Sequence, residues 1–368
     1  MQENSVFLPV ETVKRFMYDA FIQLGVPEED ACTAAEVLIA SDLRGIESHG
    51  IGRMKMYFDR IRQGVQFPVT NFEIVRESPT TAVVDGHHGM GQVIGFRAMS
   101  LAIQKAKKYG MGSVAVRNST HFGIAGYYPL MATQENMIGL TVTNARPSIA
   151  PTFGVRPMLG TNPIAFGAPS DEPYPFLFDA ATSITQRGKL EVLARKKKPA
   201  PAGWVINNAA QTMTDPETIL QDFATESAAL LPLGGLGETL GGHKGYGLAT
   251  MVEILSASLQ SGAFLWDLIG FDSAGNRRPN MLGHFFMAID VAGFVDPDEF
   301  KHSTGEILRQ LRAATLQPGQ TRIYSAGEKE YHNEIRVRQN GVEILPDLQK
   351  DMKTIARELG LTGYNFPF

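Results

Sequence analysis

Residues 231–249 read LPLGGLGETLGGHKGYGLA, the most glycine-rich stretch of the chain. Two known spacings fail on it. A phosphate loop needs G-x-x-x-x-G-K followed by Ser or Thr, so that backbone amides and a lysine cradle phosphates. Here His243 precedes Lys244 and Gly245 follows it. The dinucleotide fingerprint G-x-G-x-x-G fails as well, because after Gly235 and Gly237 the next glycine, Gly241, comes one position late. What the stretch offers is a flexible loop delivering His243 and Lys244 to the start of a helix, where free amides and a cation suit an anion. A mobile surface loop accounts for the same glycines.

Working outward, Gly245 to Leu259 reads as a strongly apolar helix, HFFMAIDV (284–291) as a strand, and Pro297–Thr315 and Asp347–Leu359 as closing helices. RKKKPAP (195–201) reads as a solvated turn rather than a binding patch. Upstream lie IGLTVTNA, NPIAFGAP and PFLFDAAT, three apolar, β-rich runs separated by loops containing Gly or Pro. GSVAVRNS is a buried strand, preceded by an amphipathic helix from Phe96 to Tyr109 that Gly110 stops, and FEIVRE and TAVVDG are short strands. The beginning differs in texture. Val13, Phe16, Met17, Ala20, Phe21 and Leu24 follow helical spacing up to Gly25, VPEED opens a second helix running to Leu43, and Met54–Gln63 is a third. The alternation is not a clean βαβ series. It predicts a mixed-sheet α/β (α+β) core over 76–294, with a helical unit over 1–75 joined by C-terminal helices from 295–368.

Composition narrows the function classes. The chain has 368 residues, 43% apolar and 20% charged, which is ample for a sizeable core. Net charge is −4, so no overall basic field draws it to nucleic acid or an anionic membrane. Cys32 is the single cysteine, which excludes an intrachain disulfide and a thiolate metal cluster. MQENSVFLPV lacks the basic start and apolar stretch of a signal peptide, and no run reaches a membrane span, so a cytoplasmic protein is expected.

Two further segments carry chemistry. RGIESHGIGRMKMYFDRI packs Arg44, Glu47, Ser48, His49 and Arg53 between two helices. Gly45, Gly50 and Gly52 allow close backbone approach there, and an arginine fork grips a carboxylate with two parallel hydrogen bonds. A helix-capping loop with surface charges explains the same residues. SVAVRNSTHFGIAGYY sets His121 just after a strand, in a polar turn, where an imidazole can exchange a proton near neutral pH; a structural histidine satisfied by backbone is the alternative. His87 and His88 are adjacent in a tight turn with no accompanying ligand spacing, so no metal is expected.

Taken together, DLRGIESHGIGRMKMY, DGHHGMGQVIGFRAM, RNSTHFGIAGYY, TNARPSIAPTFG, LGTNPIAFGAP, FDAATS, GKLEV and GGHKGYGL strongly resemble the malate/L-lactate dehydrogenase-like family, in the family's order over roughly residues 8–290; YSAGEKE matches in the tail. The resemblance implies hydride transfer between NAD or NADP and a small 2-hydroxy acid/2-oxo acid pair, on a nicotinamide-binding fold that is not a Rossmann fold. It also implies a homodimer whose active site draws on both subunits, with a small carboxylate as substrate. It places the catalytic histidine on His121, the substrate-side arginine on Arg53 with His49 and Tyr57 as neighbours, and cofactor contacts at Ala145, Asp179, Ala180, Ala181, Lys244 and Gly327, Glu328 and Lys329. Many members have Ser where this chain has Ala145, which removes a side-chain hydrogen bond to the cofactor. The longer stretch ILQDFATESAALLPLGGLGETL hints at malate. Three other readings stand beside this one: a reductase of cyclic 2-imino acids in the same family, a non-catalytic ligand-binding relative, and a phosphate-loop nucleotidase, which the spacing around Lys244 disfavours.

Overall fold

A computed structural model describes residues 5–368. Its centre is a seven-stranded sheet in the order Glu73–Glu77, Thr81–Asp85, Met111–Ser119, Leu282–Asp290, Met137–Thr143, Ile164–Ala168, Phe176–Ala180. Only Thr81–Asp85 and Met111–Ser119 run parallel; the other neighbours are antiparallel. A parallel pair needs a crossover, and the helix Gly91–Tyr109 supplies it. The remaining sheet is antiparallel, so the mixed architecture and the missing dinucleotide fingerprint agree. A Rossmann sheet would be parallel throughout its binding half.

The strand that completes the middle of the sheet comes late in sequence. Leu282–Asp290 inserts between Met111–Ser119 and Met137–Thr143, with Phe286 opposite Val114 on one side and Thr141 on the other. Its apolar residues meet the helix Gly91–Tyr109 in a core containing Ile94, Ala98, Met99, Ala102, Val114, Val116, Tyr128 and Phe286. A second core joins the two chain ends: Phe16, Phe21, Leu38, Met54 and Tyr57 pack with Val337, Ile344, Met352 and Ile355. A third lies under a small sheet of Val205–Asn207, Thr212–Met213 and Ala228–Leu230, with Ile149, Leu190, Ile219 and Ala249.

Several elements differ from the sequence expectation in extent. The helix expected from Phe96 begins at Gly91, because the glycine lets it start hard against the Thr120–His121 backbone; a Cβ there would lie 2.4 Å from the Thr120 carbonyl oxygen. Likewise the helix expected from Gly245 begins at Gly242. Tyr127–Thr133, Arg187–Arg195 and Glu328–Asn340 are helices that periodicity did not signal. The first contains Pro129, and the last is polar nearly throughout, so neither shows an apolar stripe. No helix among the described residues is long and apolar enough to cross a membrane.

Candidate active site

The His121 turn is held from below. Its strand ends at Ser119, whose hydroxyl meets His284 Nε2 at 2.7 Å, while His284 Nδ1 reaches the Thr143 hydroxyl at 2.7 Å. Phe122 stacks on that same imidazole at 4.4 Å. His284 is fully buried, and burial drives it down to about 3, so it stays a neutral bridge across three strands. The DGHHGMG turn supports the other side: Thr120 Oγ1 donates to the Gly89 carbonyl at 2.8 Å and accepts from the Gly91 amide at 3.0 Å. His87 and His88, both with positive φ, turn to separate partners, Glu73 at 2.7 Å and the Asn280 carbonyl at 2.8 Å.

The RGIESHGIGR loop closes over His121. Tyr57, fully buried on the helix Met54–Arg62, places its hydroxyl 2.5 Å from His121 Nδ1, and the His49 ring stacks on His121 at 5.5 Å. The Gly123 amide donates toward the same Nδ1 at 3.4 Å. Nδ1 is then an acceptor, Tyr57 is the second donor, and the proton of the neutral ring sits on Nε2. Burial, helped by His49, Arg53 and Arg60, pushes the His121 imidazole well below its ordinary value; burial and Arg53 hold His49 near 4. Arg53 is anchored through Nε on the Ser48 carbonyl at 2.6 Å, leaving its terminal nitrogens for a ligand. Beneath the loop, the Asp42 carboxylate accepts from the Ile51 amide at 2.8 Å and fills the space a Gly50 side chain would need.

The cofactor-side candidates gather from three directions. The Ala145 amide donates to Asn162 Oδ1 at 3.2 Å, and Thr182, next to Ala181, donates to the Asn162 carbonyl at 3.0 Å. The Thr182 carbonyl accepts from the Leu233 amide at 2.8 Å, and Gly245 lies against Leu233, with Lys244 in the first turn of the helix Gly242–Ala257. Asp179 accepts from the Gly126 amide at 2.7 Å, which ties this cluster to the His121 turn five residues earlier. Asp179 is crowded by protein while its surface stays open, and that crowding raises it to about 6. Ala326 accepts from the Leu177 amide at 3.2 Å, which brings Gly327 to the same strand. Glu328 is different: its buried carboxylate is taken by Ser325, Arg322 and Arg312, leaving Lys329 as the exposed member of that block.

The family model for malate/L-lactate dehydrogenase matches residues 8–353. The chain belongs to the malate/L-lactate dehydrogenase family. Within it, the chain is similar to the malate dehydrogenase of Pyrococcus horikoshii, 42% identical over 99% of this chain and 98% of that one. It is 40% identical to the L-sulfolactate dehydrogenase of Methanocaldococcus jannaschii, over 97% and 98%. The crystal structure of malate dehydrogenase from Entamoeba histolytica superposes with a TM-score of 0.95 at 44% identity, covering 99% and 100%. Membership makes this protein an enzyme of the 2-hydroxy acid dehydrogenase family and implies a nicotinamide cofactor.

The residues fit such a group. Ser148 Oγ and Ser183 Oγ, three residues from Ala145 and two from Ala181, are buried hydroxyls without a hydrogen-bond partner among the described residues. A buried hydroxyl left alone is costly, and a polar ligand along this cluster relieves it. The glycines do the rest: a Cβ on Gly160 would meet the Ala145 carbonyl at 2.4 Å, and one on Gly242 would meet the Gly235 carbonyl at 2.0 Å. Backbone is packed on backbone, and the first-turn amides of Gly242 and His243 lie beside Lys244 at the helix start, a set of groups that suits an anion. Of the residues the sequence pointed to, the structure gathers His121, His49, Arg53 and Tyr57 in one cluster and Ala145, Asp179–Ala181 and Lys244 in another. Sequence reasoning missed His284 and Asp42. His284 lies in an apolar strand and Asp42 near the end of a buried helix, so what each one touches is set by packing rather than by spacing.

Proposed function

We propose that the enzyme interconverts a malate-type 2-hydroxy acid and its 2-oxo acid with NAD or NADP, His121 moving the proton. The observation that carries this is the Tyr57 hydroxyl 2.5 Å from His121 Nδ1, beside an arginine with open donors. Tyr57 and the Gly123 amide fix the tautomer, so Nε2–H is the group offered to the substrate oxygen. In reduction, charge grows on that oxygen as hydride reaches carbon, and His121 supplies hydrogen bond and proton; in oxidation it accepts the proton. Arg53 grips the carboxylate next to the reacting carbon, and His49, stacked on His121, fixes the ring's plane. Tyr57 acts on the substrate through His121, since its hydroxyl is committed there.

Ala145, Asp179–Ala181, Lys244 and the Gly327–Lys329 block would hold the nicotinamide cofactor, Lys244 and the first-turn amides taking its phosphates. When bound, that group donates or accepts hydride. A homodimer completes the cleft. The helix Gly242–Ala257 is largely apolar beyond its first turn, yet Leu248, Met251 and Ile254 are exposed at 38, 42 and 53%, a face that calls for a second copy. The division into an end-to-end helical unit and a β-rich catalytic unit is supported by the two separate cores.

The test is reduced-nicotinamide absorbance with a panel of oxaloacetate, pyruvate and a cyclic 2-imino acid, using NADH and NADPH in parallel. Turnover of the 2-oxo acids supports the reading. Turnover of the imino acid alone replaces it with the imine reductase, and no turnover with intact cofactor binding replaces it with the ligand-binding relative.

A further inference from the structure

The helix Gly242–Ala257, which Lys244 helps to open, carries a buried carboxylate that the proposed reaction does not use. Glu253 is only 6% exposed, and three N–H groups converge on it. The Leu265 amide donates to Oε1 at 2.9 Å, Asn144 Nδ2 points at the same oxygen at 3.4 Å, and Asn162 Nδ2 donates to Oε2 at 2.8 Å. Every partner is a donor, which suits the ionised, acceptor-only carboxylate. Burial pushes the carboxyl up, and these hydrogen bonds pull it back. Among the described residues Glu253 has no ion-pair partner. A buried carboxylate without a cation is costly where an apolar side chain could pack. What it does here is orient two amides.

Both asparagines are fully buried, and each is held from two sides. Asn162 turns Oδ1 to the Ala145 amide at 3.2 Å and gives its nitrogen to Glu253 and to the Ala249 carbonyl at 3.0 Å. Asn144 turns Oδ1 to the Gly283 amide at 2.8 Å and gives its nitrogen to Glu253 and to the Ala263 carbonyl at 3.2 Å. A side-chain amide turned over keeps its shape but exchanges acceptor for donor. The carboxylate accepts only one of the two orientations. Glu253 therefore sets which way Asn162 faces Ala145, and which way Asn144 faces Gly283, next to the His284 bridge.

We propose that Glu253 is a positioning residue for the cofactor: its carboxylate orients the Asn162 amide, and Asn162 holds the Ala145 backbone in the shape the cofactor meets. The inference rests on the dehydrogenase reading above, which puts Ala145 at the cofactor. Glu253→Gln nearly keeps the shape of the side chain. One oxygen can stay on the Leu265 amide, but an NH2 then opposes the NH2 of Asn162. Turning Asn162 over relieves that clash and sets its NH2 against the Ala145 N–H instead. Either way the hydrogen-bonded run from Glu253 to Ala145 is broken.

The experiment compares wild type, Glu253→Gln, Asn162→Gly and the double variant, with Ser256→Ala as a control on the same buried face of the helix. Ser256 Oγ has no hydrogen-bond partner among the described residues, so its removal should leave cofactor binding as it was. Asn162 sits at φ 33°, which glycine tolerates, and Asn162→Gly carries the test should Glu253→Gln fail to fold. Calorimetry reads the dissociation constants of NADH and NADPH, and mass spectrometry reads amide exchange across 143–146. Glu253→Gln should weaken the cofactor that wild type prefers by about 10-fold, the scale of one hydrogen bond to a charged group. Exchange across 143–146 should speed up, while the oxaloacetate KM at saturating cofactor holds. The double variant should lose no more than the worse single one, because both act through one amide. Unchanged cofactor affinity in Glu253→Gln, unchanged exchange, losses that add, or an equal loss in Ser256→Ala overturns the proposal alone. A wild type that binds neither cofactor overturns the dehydrogenase reading, and this proposal with it.

Discussion

His121 lies in a crowded cleft with His49, Arg53 and Arg60 around it, and every one of these opposes its protonation. The free enzyme therefore holds the neutral ring at neutral pH, the form oxidation needs. A bound substrate anion offsets the cations and raises the ring. In the reduction direction, the kcat profile should then bend at higher pH than the kcat/KM profile, because the first reports the complex and the second the free enzyme. Coincident profiles would place the titrating group elsewhere, with His49 the first rival. His121→Ala should lose about 10²–10⁴-fold in kcat while cofactor binding survives. Asp42 carries the opposite sign. Burial raises its carboxyl to about 8, so the folded chain holds a proton that the unfolded chain releases near 4. The stability this contributes is present at low pH and is lost as pH rises toward 8. Asp42→Asn keeps an acceptor for the Ile51 amide and removes the titration. It should gain on wild type at up to about 1.4 kcal/mol per pH unit between 4 and 8. Urea midpoints at pH 5, 6, 7 and 8 read this directly, and parallel curves would refute it.

At the level of elements, the helix Gly242–Ala257 and its preceding coil supply a matched pair of glycines. A Cβ on Gly245 would stand 2.1 Å from the Leu233 carbonyl oxygen and 2.6 Å from its amide nitrogen, while one on Gly247 meets nothing within 4 Å. Gly245→Ala must push helix and coil apart, at a cost of about 1–3 kcal/mol, and should raise the cofactor KM because Lys244 moves with the helix start. Gly247→Ala, two residues on, should be neutral or gain about 0.5–1 kcal/mol from helix propensity. Thermal melts and cofactor titrations of the two variants decide it, and similar behaviour would count against the packing argument.

At the scale of the whole molecule, the exposed face of that same helix is the feature a single chain leaves unsatisfied. Ile254 is 53% exposed beside Met251 at 42%. Ile254→Glu puts a charge on the face proposed to meet a second copy, so light scattering should find a dimer for wild type and a monomer for the variant. The variant's melt should be little changed at low concentration, because the side chain is outside the chain's own cores. A wild-type monomer, or a variant that still dimerises, removes this face from the interface.

What the sequence determined by itself is local. Helical spacing before Gly25, the glycine stop after Tyr109, the short strands at 73–77 and 81–85 and the buried strand at 111–119 are written in neighbouring residues, and the structure places elements there. His121, Arg53 and Lys244 stand out as candidates for the same reason, since each is a chemically able residue in a polar or glycine-bounded segment. What tertiary structure alone decided is what distant residues do to one another. Leu282–Asp290 completes the centre of a sheet whose other central strands end before residue 144, a placement no local pattern encodes. The three-residue strands Val6–Leu8 and Val342–Ile344 exist only as each other's partner. Tyr57 falls within the helix expected over Met54–Gln63, yet only packing sets its hydroxyl on an imidazole 64 residues away. Spacing cannot show that Arg60 has no ion-pair partner among the described residues, because that depends on where distant carboxylates are placed.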